Sequence, residues 1–297
     1  MSARLDLVVD ARNYLGEGVI WCPRTRCVLW TDIESAILHS YQPESGQRAQ
    51  WTMPERLACF ALTADPEVLL LGLASRLAFF HLSSGAVTPI CQVEADLPGT
   101  RLNDGRCDRQ GRLVFGTLNE HPGRKPIGSF YRLNHDLSLE MLPLPKVAIP
   151  NSICFSPDGA SMYFCDSMHK KIFRWDGYAR GDPQPVRTFV DVGAGPAAPD
   201  GATVDAEGCL WSAQWGGARV VRYRPDGSTE RIVHVPVSQP SCPCLGGTDL
   251  NQLFVTSAQE GLSASMLADE PQAGGLFHSA LLTGVRGLPE TRFGVPA

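Results

Sequence analysis

Residues 149–167 read IPNSICFSPDGASMYFCDS. A polar turn, Ser156-Pro157-Asp158-Gly159, leads into the apolar run Met162-Tyr163-Phe164, which predicts a β-hairpin. The pattern recurs along the chain. CDRQGRLVFGTLN begins at Cys107, VDAEGCLWSAQW at Val204 and WCPRTRCVLWTDI at Trp21, with weaker copies TADPEVLLLGL at Thr63 and GGTDLNQLFVTSA at Gly246. Taking the turns to start at Cys22, Ala64, Asp108, Ser156, Asp205 and Thr248, the intervals are 42, 44, 48, 49 and 43 residues. A period of about 40 to 50 residues built from short strands is the mark of a propeller blade. Between the copies lie further strand-and-turn stretches, such as ILHSYQPESGQ at Ile37 and RVVRYRPDGST at Arg219. The expected fold is therefore all-β, a six-bladed β-propeller forming a single domain over residues 1–297. No amphipathic helix is expected. The last blade lacks a strand after Phe277, and LDLVVDARN near the N-terminus is positioned to supply it.

Composition agrees with this reading and excludes others. The chain has 297 residues, 43% hydrophobic and 19% charged, enough apolar material for a large core. A net charge of −5 with no basic run argues against nucleic acid as a partner. No apolar run is long enough to span a membrane, and the N-terminal stretch, broken by Arg4, Asp6 and Asp10, has no signal-peptide core. The ten cysteines are scattered with no C-x-x-C pair, which predicts buried free thiols and a cytoplasmic location. The oligomer expectation is a monomer or weak homo-oligomer.

The repeat exposes a site. Five residues before the turn stand Glu17, Asn103, Asn151 and Asp200 in four of the six copies; the same count reaches Cys59 and Pro243, beside Cys242, in the other two. Equivalent positions of a propeller converge at one end of its central channel. Two carboxylates and two amides aimed at one point call for a cation, and oxygen donors suit hard divalent ions such as Ca²⁺, Mg²⁺ or Mn²⁺. Arg101 lies two residues before Asn103 and faces the same way if the segment is extended, adding a polar-oxygen or anion contact. No G-x-S-x-G elbow and no H-E-x-x-H motif is present, which disfavours a serine hydrolase and a zincin.

Five ordered motifs, LGEGVIW, RLNDGRCDRQGRLVFGT, PNSICFSPDG, PDGATVDAEGCLWSAQWGG and CLGGTDLNQLFVTSA, resemble the SMP-30/gluconolactonase/regucalcin-like family between about Leu15 and Leu262. The resemblance implies one divalent metal, calcium first with magnesium, manganese, zinc or iron as alternatives, held by Glu17, Asn151 and Asp200. It implies substrate contacts from Arg101 and Asn103, with Glu120 or His121 in the following loop as further candidates beside Asn119. It implies a small-molecule sugar lactone as substrate, hydrolysed to the aldonic acid in bacterial-type sugar oxidation. Asp200, a carboxylate at the ring able to contact both metal and water, is the candidate general base. A calcium-binding regulatory propeller without activity, and a metal-dependent aryl or phosphate esterase, are the alternatives. The chain departs from the family's pattern at Ser152, where glycine is usual, and at Val19, where proline is usual.

Overall fold

The structure, a computed structural model, describes residues 5–181, 186–279, 282 and 284–296; residues 1–4 of the stretch read above for a leader lie outside them. Six antiparallel four-stranded sheets follow one another around a ring. Their innermost strands are Gly16–Cys22, Leu57–Leu62, Thr100–Cys107, Pro150–Phe155, Ala198–Val204 and Pro240–Gly246. These define blades one to six. The repeated turn has a physical basis. In blades three and five, Asp108 and Asp205 each accept two backbone N–H bonds across the turn. The glycine three residues further on, Gly111 or Gly208, takes the left-handed conformation that closes it.

The ring closes as the sequence anticipates. Asp6–Val9 pairs antiparallel with Leu276–Ser279 as the outer strand of blade six. Blade six then meets blade one through Trp21 stacked on Phe254, at 6.1 Å between centroids, and through an isolated bridge from Leu15 to Ala258. Polar side chains also tie successive blades together near the channel. Thr31 donates to the Leu57 carbonyl, Asn103 to that of Pro150, Ser167 to that of Pro199, and Ser241 to that of Gly16. All ten cysteines are free, eight of them buried.

Two features lay beyond the repeat. A six-residue helix, Ala264–Asp269, capped by Ser263, sits between the second and third strands of blade six; it is too short to show a periodic face. The segment after blade six crosses the far end of the channel. Arg286 accepts from Ala206 N–H, Phe293 N–H reaches the Leu62 carbonyl, and Glu290 lies 3.6 Å from Arg106 inside the ring.

Every innermost strand carries a bulge, and the bulges lie where the site residues stand. One extra residue in each strand bends it and re-aims its side chains. In blades one and four the residue after the site residue is left-handed: Gly18 at φ 59° and Ser152 at φ 58°. A non-glycine residue there is strained by roughly 1–2 kcal/mol. Ser152, fully buried, offsets this by donating to the Asp200 carbonyl at 2.5 Å, a bond glycine cannot make. Ser152→Ala is therefore expected to lose about 1–3 kcal/mol of unfolding free energy. Ser152→Gly, which loses the bond but also the strain, should lose less. Denaturant titration of both variants checks this; an alanine variant as stable as the parent would contradict it.

Candidate functional site

The cavity at the starting ends of the innermost strands has a volume of about 280 Å³. Glu17, Asn103, Asn151 and Asp200 all line it, each no more than 9% exposed, together with Arg101. The bulge register replaces the residues reached by counting in the other two blades. Arg56-Leu57-Ala58 of blade two aligns with Arg101-Leu102-Asn103 of blade three, and Pro240-Ser241 of blade six with Pro199-Asp200 of blade five. Ala58 and Ser241 thus occupy the positions assigned by counting to Cys59 and Pro243. Ala58 has no donor, and Ser241 turns its hydroxyl to the Gly16 carbonyl and Thr256.

The amide at the head of the opening stretch is held by its last residue. Ser167 Oγ donates to the Pro199 carbonyl at 2.8 Å and so accepts from Asn151 Nδ2 at 2.9 Å. Asn151 Oδ1 is thereby turned away from Ser167 and meets Asn103 Nδ2 at 3.1 Å. Asn103 in turn accepts from Arg101 Nη1 at 2.9 Å. Glu17 and Asp200 are in hydrogen-bonding contact with each other. Burial first, then the negative charge of Asp104, pushes the Glu17 carboxyl up to about 8. Asp200 is pushed well up by burial and by Glu17. Asp104, one step deeper, is raised to about 6 by burial, held back by the Ile153 N–H bond at 2.8 Å and by Arg106. Acidic groups crowded together and largely removed from water fit a divalent cation, and Glu17, Asp200 and the Asn151 amide oxygen are the hard donors that would hold it.

This electrostatic state has a measurable consequence. The raised carboxyls keep protons in the folded, cation-free protein that the unfolded chain releases from about pH 4.5 upward. Their contribution to stability is therefore present at low pH and lost as pH rises to about 8. A bound divalent cation opposes that loss, and binding tightens as the carboxyls ionise. The melting temperature of chelated protein should fall from pH 5 to pH 8 relative to cation-loaded protein, the gap widening with pH. Parallel melting curves would refute it.

A second group of charges rims the cavity. Arg101 is 6% exposed, and its Nε is buried without a hydrogen-bond partner. Glu34 and Glu120 stand 3.6 and 3.5 Å from its guanidinium, but both also pair with Arg56, Glu120 through two bonds of 2.6 and 2.8 Å. Glu120 is thus tied to Arg101 and Arg56 without itself lining the cavity. His121 does not line the cavity: its exposed ring points to the Pro98 carbonyl, 3.1 Å away. Asn119 spends its side chain on the Lys125 carbonyl and the His121 N–H. Arg56, Ser167, Asp104 and Glu260 were not singled out from the sequence. The first was legible in the repeated Arg-Leu pair before two bulges; the others sit outside the counted position. Glu260 is shifted upward by burial and by Glu34, opposed by Arg101 and Arg124.

Two other places are poorer candidates. A larger cleft of about 740 Å³ lies beside the hairpin turns at the other ends of the innermost strands. Its buried carboxylate, Asp108, is already spent on Gln110, Arg112 and Tyr178. The cluster Asp205, Glu207 and Cys209 is a turn whose aspartate is bonded by two backbone N–H groups, Trp211 and Arg222.

The structure is thus a ring of six blades with an acid-lined, oxygen-rich cavity at one end. The chain belongs to the SMP-30/gluconolactonase/LRE-like family, whose model matches residues 15–259. It is 54% identical over 279 residues to an L-arabinolactonase of Azospirillum brasilense, covering 93% of this chain and 91% of that protein. It is 32% identical to a 6-deoxy-6-sulfogluconolactonase of Pseudomonas putida, covering 93% and 94%. Among solved structures it resembles a calcium-binding protein, regucalcin, from Agrobacterium tumefaciens, with TM-score 0.92, 32% identity and coverage of 99% and 98%.

Proposed function

We propose that the protein hydrolyses the lactone of a five-carbon aldonic acid, of the L-arabinonolactone class, to the free acid, using a divalent cation held by Glu17, Asn151 and Asp200. The broader class, a sugar lactonase acting as a carboxylic ester hydrolase, follows from family membership and the lactonases among its relatives. The observation that supports the site assignment is the buried Arg101 Nε, which makes no hydrogen bond and stands 3.5 Å from Glu120, beside carboxylates in mutual contact. A cation-binding propeller with no substrate would leave the hydrogen bond of that Nε–H unmade, while Nη1 stays on Asn103. The cation, calcium being the first candidate, would polarise a carbonyl and acidify water. Asp200 would take the proton from the attacking water, and Arg101, positioned by Asn103, would bind the lactone's oxygens. A polar rim of arginines and glutamates suits a polyol better than an aryl ester. The test is acid release from a panel of aldonolactones and aryl esters, before and after exhaustive chelation and with divalent ions restored. Preference for a pentonolactone, lost on chelation and regained on addition, is expected. Full activity in protein shown by elemental analysis to be metal-free, or turnover of aryl esters alone, would overturn it.

A further inference from the structure

Glu260 stands apart from the other charges at the cavity. It lines the same 280 Å³ space as Glu17, Arg101 and Asp200. Its backbone is pinned: its N–H reaches the Tyr14 carbonyl at 2.9 Å, and its own carbonyl accepts from Gln239 at 3.1 Å. Yet among the described residues its half-buried carboxylate makes no hydrogen bond and no ion pair, whereas Glu34 and Glu120 are both engaged by Arg56. A partly desolvated acceptor on a pinned backbone, left without a donor, is costly unless something else supplies one. An ionised carboxylate only accepts, and it can take two hydroxyl groups at once. Arg124, also lining the cavity, makes among the described residues a single hydrogen bond, of 3.4 Å to the Asn119 carbonyl, so donors and an acceptor both face the space.

We propose that Glu260 is a specificity-determining residue that accepts hydrogen bonds from hydroxyl groups of the substrate, so that polyhydroxylated lactones are selected over unsubstituted ones. This rests on the lactonase reading above for its substrate and its first test, while a second test, of binding, does not. A site built to hydrogen-bond a hydroxyl discriminates strongly against analogues that lack it. The steady-state experiment compares L-arabinonolactone with γ-butyrolactone in the parent protein and in Glu260→Gln, with KM and kcat taken separately. The parent's preference for the hydroxylated lactone should fall about tenfold or more, mainly through KM, corresponding to one lost charged hydrogen bond. Equal losses on both substrates, or an unchanged ratio, would overturn the role, because a merely structural residue moves both together. Binding of the pentitol L-arabinitol, measured by calorimetry, needs no turnover and should weaken about tenfold in the same variant. A parent protein that binds the pentitol through Glu260 but hydrolyses no lactone retires the lactonase reading and keeps this one. Pentitol binding unaffected by Glu260→Gln overturns this one while leaving lactonase activity standing.

Discussion

Asp200→Asn should lower kcat by roughly 10²- to 10⁴-fold even with divalent cation saturating. The substitution keeps the shape and one oxygen donor but removes the basic site. Asp200 is 6% exposed, in contact with Glu17, and its backbone carbonyl is held by Ser152. Its position is therefore fixed from two sides, and the amide should sit where the carboxylate sat. Asn151→Ala provides the contrast. Asn151 contributes an amide oxygen and no base, so its loss should weaken cation affinity first. Activity should then recover at least in part as cation is raised, by mass action. The measurement is kcat for both variants against measured occupancy. Equal recovery of the two would mean that Asp200 is a ligand only, and would pass the role of base to Glu17.

Removing the Arg101 guanidinium should cost on the order of 1.5–3 kcal/mol of transition-state binding, about 10- to 150-fold in kcat/KM, as expected for a hydrogen bond from a charged group. The cation should remain bound in Arg101→Ala. Among the described residues Arg101 is hydrogen-bonded to the ligand set through Asn103, whose amide bridges Arg101 Nη1 and Asn151 Oδ1, and its charge acts on Glu17 from a distance. Arg56→Ala provides a control for the rim. Arg56 lies at the repeat-equivalent position but is spent on Glu34 and Glu120, so its loss should act indirectly, by releasing those carboxylates toward Arg101. Lost cation with unchanged turnover per loaded site would contradict the role given to Arg101.

The ring and most of its centre were legible because the turns are. Side chains that make the turn, such as Asp108 and Asp205, recur at nearly constant spacing, so a fixed offset from them lands on Glu17, Asn103, Asn151 and Asp200. The offset fails where the hairpin differs. In blade six the strand pairs out to Gly246 with Gln252, and counting from Thr248 overshoots Ser241 by two residues. Ser167, Glu34 and Glu260 come from connections between strands, where no period constrains them. His121 lay next to Glu120 in sequence, yet the turn after Asn119 sends its ring toward Pro98. The closing segment through Glu290 carries no repeat at all, and its path is set by backbone bonds to four different blades.

The pairing of Leu7 with Phe277 has a consequence in time. Its two partners are separated by about 270 residues, so during synthesis the first strand waits on the order of 15 to 50 s for its neighbour. Until then the edge of the strand at 276–279 does not exist, and blade one has no blade six to lean on. The cavity wall between Leu15 and Ala258 belongs to that last joint. Contacts of such long range are slow to form because the loop they close must be ordered first. The ability to bind a ligand should therefore appear late in refolding, after most strand structure is in place, and in step with the joining of the chain's two ends.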